Sequence, residues 1–430
     1  MRFVRLVIIL LALLLPGPVV LSAQTEDLRA LMLKAAELDG QHRFNEAEPY
    51  YQRALKLAPD SAQVLNNAGN HYLASGHRDQ ARDFYRKAIA IDPHHANPNL
   101  QLAKMSIEDK DGKQALDYLS RIPSSGNHDP DVAALKARAL ALTAISRLRL
   151  QGPNAALAEL DQIPVAYRQG DYYLLRAQIL DSMGKIQDAV GALNLGIRAD
   201  PERPDLYLQA TGFLLKHNLL REASDLLDQA SRLLPDAREL LLAHVVVLEL
   251  LRREVDAKNL LSTIQARWPK WDRAYQLRGI LLEIQLKSVE ARKALETAIA
   301  LGANTPEVYY YKALAITHSA PDDLDGAQKA INHALALTSK DPYAFVLAGK
   351  ISLAKKNYSQ AVQQFLAAAR LQPTLIPAHY GLRDAYKALG DERKSAAQMQ
   401  EIKLLARENQ PPGQNPFAAE RFLFAVQPPE

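Results

Sequence analysis

The chain has 430 residues, 48% of them hydrophobic and 23% charged, with a formal net charge of +4. This composition describes folded protein rather than disorder, and so small a charge excludes the concentrated basic face of a dedicated nucleic-acid binder. There are no cysteines, which excludes disulfides, thiolate metal sites and thiol nucleophiles.

At the N-terminus, Arg2 and Arg5 precede the apolar run Leu6–Leu15, and Pro16-Gly17-Pro18 follows. A basic start, a short apolar core and small residues before Gln24 predict a signal peptide over residues 1–23, and so an exported chain, periplasmic or secreted. The alternative is an uncleaved membrane anchor, for which the run is short against a span of about 20 residues. No later segment has the uninterrupted apolar length to cross a membrane. Glu239–Leu251 comes nearest, but it carries His244 and Glu249 and reads as a buried helix.

From Gln24 to Asn409 the chain repeats itself. "YYQRALKLAPD" begins at Tyr50, and "FYRKAIAIDP" begins thirty-four residues later, at Phe84. The repeated alanine falls at Ala47, Ala81, Ala115, Ala156, Ala189, Ala223, Ala257, Ala291, Ala327 and Ala361, with Ser395 as the eleventh. Seven of the ten spacings are 34 residues. A bulky residue follows four positions on, and a small or aliphatic one three further, so all three share a helical face. A second helix lies upstream of each alanine; in the second unit it is Ala62–Gly76, where Leu65, Ala68, Gly69 and Tyr72 share a face and Gly76 supplies the stop. Prolines such as Pro59, Pro93 and Pro373 close the unit. The unit is helix, tight turn, helix. One copy cannot bury its own apolar face, so stacked copies must make the core.

This order resembles the tetratricopeptide repeat: a bulky residue, Leu-Gly, Tyr, Gly, Ala, an aromatic, Ala and Pro. The second unit matches with Leu65, Ala68-Gly69, Tyr72, Gly76, Ala81, Tyr85, Ala88 and Pro93, and the tenth with Phe345, Ala348-Gly349, Ala361, Phe365, Ala368 and Pro373. The resemblance implies an all-α, right-handed superhelical solenoid of about eleven antiparallel helix pairs over residues 24–409. Units three and four depart most, with Leu119 and Leu160 in place of the aromatic and a long helix over Val132–Leu150. The charged last unit, Asp391–Asn409, suits a cap. Residues 410–430 form a proline-rich tail whose Phe417, Phe422, Leu423 and Phe424 read as a segment that folds back or docks on a partner.

Chemistry is not announced. The spacings of hydrolase, zinc-protease, phosphate-loop and dinucleotide motifs are all missing, and His94-His95 has no further ligands placed to close a metal site. No catalytic, cofactor or metal site is therefore expected, and protein or peptide partners are. The resemblance implies that partners lie along the first helix of each pair, in a concave groove. There the chain offers Gln63, Asn66, Asn67, Asn70, Asn97, Gln101 and Lys104, an amide-rich set that can both donate to and accept from an extended peptide backbone. A second expected contact patch is aromatic and basic: Tyr310, Tyr311, Lys312, Tyr343, Lys350, Tyr380 and Lys387. The function expected is a non-catalytic protein-binding scaffold, which the resemblance places in envelope, secretion or surface-polysaccharide assembly. A structural spacer and a glycan- or peptide-processing enzyme are the alternatives.

Overall fold

The computed structural model describes residues 19–123 and 130–408, with side chains from residue 28. Most of the expected signal peptide, the loop at 124–129 and the tail lie outside the described residues. Every regular element described is helical, and the helices divide into two units between Ala199 and Asp200. The first holds α1 (Val19–Gly40), α2 (Phe44–Leu57), α3 (Ala62–Ala74), α4 (Arg78–Ile91), α5 (Ala96–Glu108), α6 (Gly112–Ser120), α7 (Pro130–Leu150), α8 (Pro153–Leu160), α9 (Gly170–Ser182) and α10 (Ile186–Ala199). The second holds α11 (Pro204–Lys216), α12 (Leu220–Leu233), α13 (Arg238–Leu250), α14 (Glu254–Arg267), α15 (Asp272–Ile284), α16 (Ser288–Ala300), α17 (Pro306–Ser319), α18 (Leu324–Leu337), α19 (Pro342–Ala354), α20 (Tyr358–Leu371), α21 (Ile376–Ala388) and α22 (Glu392–Glu408). Each unit is a stack of antiparallel helix pairs, the all-α repeat architecture that the sequence predicts. No described helix is long and apolar enough to cross a membrane.

The alanine register holds throughout. Each of the ten alanines, and Ser395, sits on the second helix of a pair; the alanines are fully buried and Ser395 is 7% exposed. The bulky residue four positions on is buried in ten pairs, including Leu119 and Leu160, whose lack of an aromatic ring does not disturb the packing; Met399 in the last pair is half-buried. Side chains this size contribute about 1.5–3 kcal/mol each when fully buried. The ring of Phe365 shows why small residues must face them. A side chain at Gly349 would place its Cβ 2.6 Å from that ring, and one at Gly381, on the next first helix, would be driven into it as well.

In nine of the eleven described pairs, all but α7–α8 and α17–α18, the turn inside the pair is closed by the same backbone bond. His77 N–H donates to Tyr72 C=O at 2.8 Å, Arg253 to Leu248 at 2.8 Å and Lys287 to Leu282 at 2.9 Å. This six-to-one bond requires the preceding residue to be left-handed. Glycine fills that place at Gly76, Gly184 and Gly390, but His42, Lys110, Asn218, Arg252, Leu286 and Lys356 adopt the same conformation, with φ from 57° to 62°.

Candidate binding surface

The expected groove residues do meet. Gln63 Nε2 donates to Asn67 Oδ1 at 3.0 Å and Asn66 Nδ2 donates to the same oxygen at 3.2 Å. Asn97, on the next first helix, donates to Asn66 Oδ1 at 2.7 Å and to Asn70 Oδ1 at 3.0 Å, and Gln101 Nε2 donates to Asn97 Oδ1 at 3.4 Å. Helical spacing explains the ladder: positions three or four apart on α3 and α5 line one face, and the two helices lie side by side. Tyr85 Oη, from beneath, also donates to Asn70 Oδ1 at 2.8 Å. That fixes the Asn70 amide with its oxygen inward and its NH2 group as its remaining donor. Gln63, Asn70 and Lys104 are exposed, and Asn67, Asn97 and Gln101 half-buried. Asn66 is corrected: at 3% exposed it is an internal strut of the ladder, not a contact residue.

The aromatic set stands on three successive first helices, α17, α19 and α21. Tyr311 is corrected too: it is 2% exposed and packs in the core with Leu295 and Val308. Tyr310 meets it edge-on at 5.1 Å. Lys312 and Tyr343 are half-buried, while Lys350, Tyr380 and Lys387 are exposed, with the Arg383 guanidinium 4.9 Å from the Tyr380 ring.

One cluster escaped the sequence reading. His71 is 2% exposed and lies between two carboxylates, with Nδ1 2.7 Å from Asp39 and Nε2 2.8 Å from Glu48. Tyr51 Oη donates to Asp39 at 2.8 Å, and Tyr72 Oη to Glu48 at 2.5 Å. A carboxylate oxygen at each ring nitrogen favours the imidazolium, the form that donates from both. Burial pulls the His71 pKa down, but the hydrogen bonds and charges of Asp39 and Glu48 outweigh it and hold the group above its ordinary value. Burial and the Glu48 carboxylate push the Tyr72 phenol up to about 12. The partners are 32 and 23 residues away in sequence, so no local motif announces them. Elsewhere, His94 Nδ1 is 3.0 Å from the Arg121 carbonyl oxygen, and among the described residues no group of three or more His, Asp or Glu is arranged to hold a metal ion.

A family model described as the tetratricopeptide repeat matches residues 27–94, and a second with the same description matches residues 72–139. Human mitochondrial import receptor subunit TOM70 is 25% identical over 276 residues, 59% of this chain and 44% of that protein. Human protein O-mannosyl-transferase TMTC3 is 23% identical over 305 residues, 70% of this chain and 29% of that protein, and human protein arginine N-methyltransferase 9 is 36% identical over 59 residues, 14% and 7%. The chain thus spans less than half the length of these curated relatives. Among solved structures, yeast Tom70 aligns over 90% of this chain and 99% of its own, with a TM-score of 0.48 and 14% identity. Tetratricopeptide repeats are therefore present over residues 27–139, and every helix pair described beyond them carries its repeat residue, alanine or Ser395, in the same place on the second helix.

Proposed function

We propose that the chain is an exported, non-catalytic scaffold that holds a segment of a partner protein along the first-helix faces of its repeats, in envelope, secretion or surface-polysaccharide assembly. The amide ladder on α3 and α5 carries this reading. Buried Asn66 and half-buried Asn67, Asn97 and Gln101 hold one another in place, so the exposed amides of Gln63 and Asn70 are presented rigidly, with Lys104 one turn beyond Gln101. Fixed amides bind an extended backbone at a lower ordering cost than flexible ones. The relatives named as transferases share only a fraction of their length with this chain, which gives their activities no support here. Photo-crosslinking in the native source tests the binding face. A crosslinking side chain in place of Gln63 or Lys104 should trap one common partner, and one in place of Arg86, on the second helix α4, should not. Equal trapping from all three positions, or none, contradicts the reading. Export is tested by N-terminal sequencing of the native protein, expected to begin near Gln24; intact Met1 on soluble cytoplasmic protein contradicts it.

A further inference from the structure

The second unit holds a cleft of about 430 Å³ between α14 and α15, bordered by the end of α13 and the start of α16. That volume lies within the range of small-ligand sites, roughly 300–1,000 Å³. It is built from second-helix residues and the facing side of the next first helix, so it is separate from the ladder. Its floor is apolar, from Leu261 and Leu281, which are 5% and 7% exposed. Its ends differ in net charge. Glu249, Glu254 and Glu290 stand at the turn end with Lys287 as the one cation lining it there, and Arg278 stands at the other. Lys258 lies one turn on from Glu254, between the two ends. Burial raises the Glu249 carboxyl above its ordinary range and the neighbouring Glu254 raises it further, while Arg252 and Lys287 offset only part of this; a cation seated there would oppose the remaining rise. At the far end Gln265 is 8% exposed. Its Oε1 accepts from Arg278 Nη1 at 2.7 Å, which holds the guanidinium at the cleft wall. Its Nε2 is buried and meets no acceptor among the described residues. A buried donor left unmade opposes folding, and a ligand acceptor that reaches it would make that bond.

We propose that this cleft binds a short apolar peptide with free ends, its ammonium group at Glu249 and Glu254 and its carboxylate at Arg278 and Gln265. The dimensions set the length. Glu254 and Gln265 are eleven positions apart on α14, about 16 Å along a helix, and an extended chain rises about 3.3 Å per residue, so a tetrapeptide with its two termini fits. Leucines between the charged ends select apolar side chains, and the opposite signs of the ends fix the direction.

Calorimetric titration of the full chain with Ala-Leu-Leu-Ala tests this. Binding is expected, weakened at least tenfold by N-acetylation, by C-amidation, by Arg278→Gln and by Glu249→Gln with Glu254→Gln. Arg278 and Glu254 are exposed, so these variants should fold; the thermal melt of each is compared with the wild type, and an early-melting variant is replaced by the matching capped peptide as the deciding arm. Asn67→Ala with Asn70→Ala, in the ladder, should leave this titration unchanged. The proposal is overturned if no heat is seen up to millimolar peptide, if the doubly capped peptide binds as well as the free one, or if 1,8-diaminooctane binds and the peptide does not.

Discussion

His71 carries the clearest electrostatic consequence at the scale of single residues. Its folded pKa is raised above the unfolded value of about 6.5. The stabilisation it gives is therefore complete below that value and is lost as pH rises through the raised folded value. Glu48 works in the other direction. Burial raises its pKa, but hydrogen bonds from Tyr72, Gln52 and His71 lower it overall, so its contribution fades as pH falls through the depressed value. The melting-temperature gap between wild type and His71→Gln should be largest near pH 6 and shrink toward pH 9; a gap independent of pH would contradict the imidazolium bridge. Ladder residues behave differently from what an exposed amide suggests. Asn70 accepts from both Tyr85 and Asn97, so Asn70→Ala should cost about 1–3 kcal/mol, the range for leaving hydrogen-bonding groups unsatisfied. A loss under 0.5 kcal/mol in a denaturant titration would mean water replaces the amide freely. Sequence reading found these amides by their density but not their bonds, since Asn97 and Asn66 are 31 residues apart.

The turns decide how the helical elements are joined. Glycine at Gly76 makes a turn visible in sequence because only glycine adopts the left-handed region without steric cost. Leu286 makes the same turn with φ 57° and its side chain 79% exposed, and nothing in its identity reveals it. The repeat period, not the local residue, fixes the turn, because the helices on both sides are already held by buried faces. The left-handed conformation costs an L-residue roughly 1–2 kcal/mol, and glycine gives back part of that through its freer unfolded chain. Leu286→Gly should therefore stabilise by about 0.5–1 kcal/mol in a denaturant titration, while Leu286→Ala should give no gain. Destabilisation by glycine would show that Leu286 makes a contact that matters. Units three and four illustrate the same priority. The expected long helix appears as α7, and Leu119 and Leu160 are fully buried without an aromatic ring. Size and face, rather than aromatic character, are what the packing reads.

At the scale of the whole molecule, almost all of the architecture was legible in the sequence, because a repeat writes its packing rule many times and errors in one copy do not hide the period. The binding surface was less legible. Exposure separates a contact residue from a strut, and consecutive residues such as Tyr310 and Tyr311 differ in exposure through helix geometry alone. The cleft beside Arg278 was missed because charged residues scattered over α13, α14 and α15 converge only once the pairs stack. The central claim is that each pair is its neighbour's core and depends on little else. Hydrogen-exchange mass spectrometry on Ala81→Leu tests it directly. Ala81 is fully buried on α4, and the larger side chain should overpack that crossing at a cost of about 1–3 kcal/mol. Repeat stability is close to a sum of local and nearest-neighbour terms, so faster exchange should appear in α2–α6 and leave α13–α21 at wild-type protection. Equal loss of protection across both sets of helices would contradict the account.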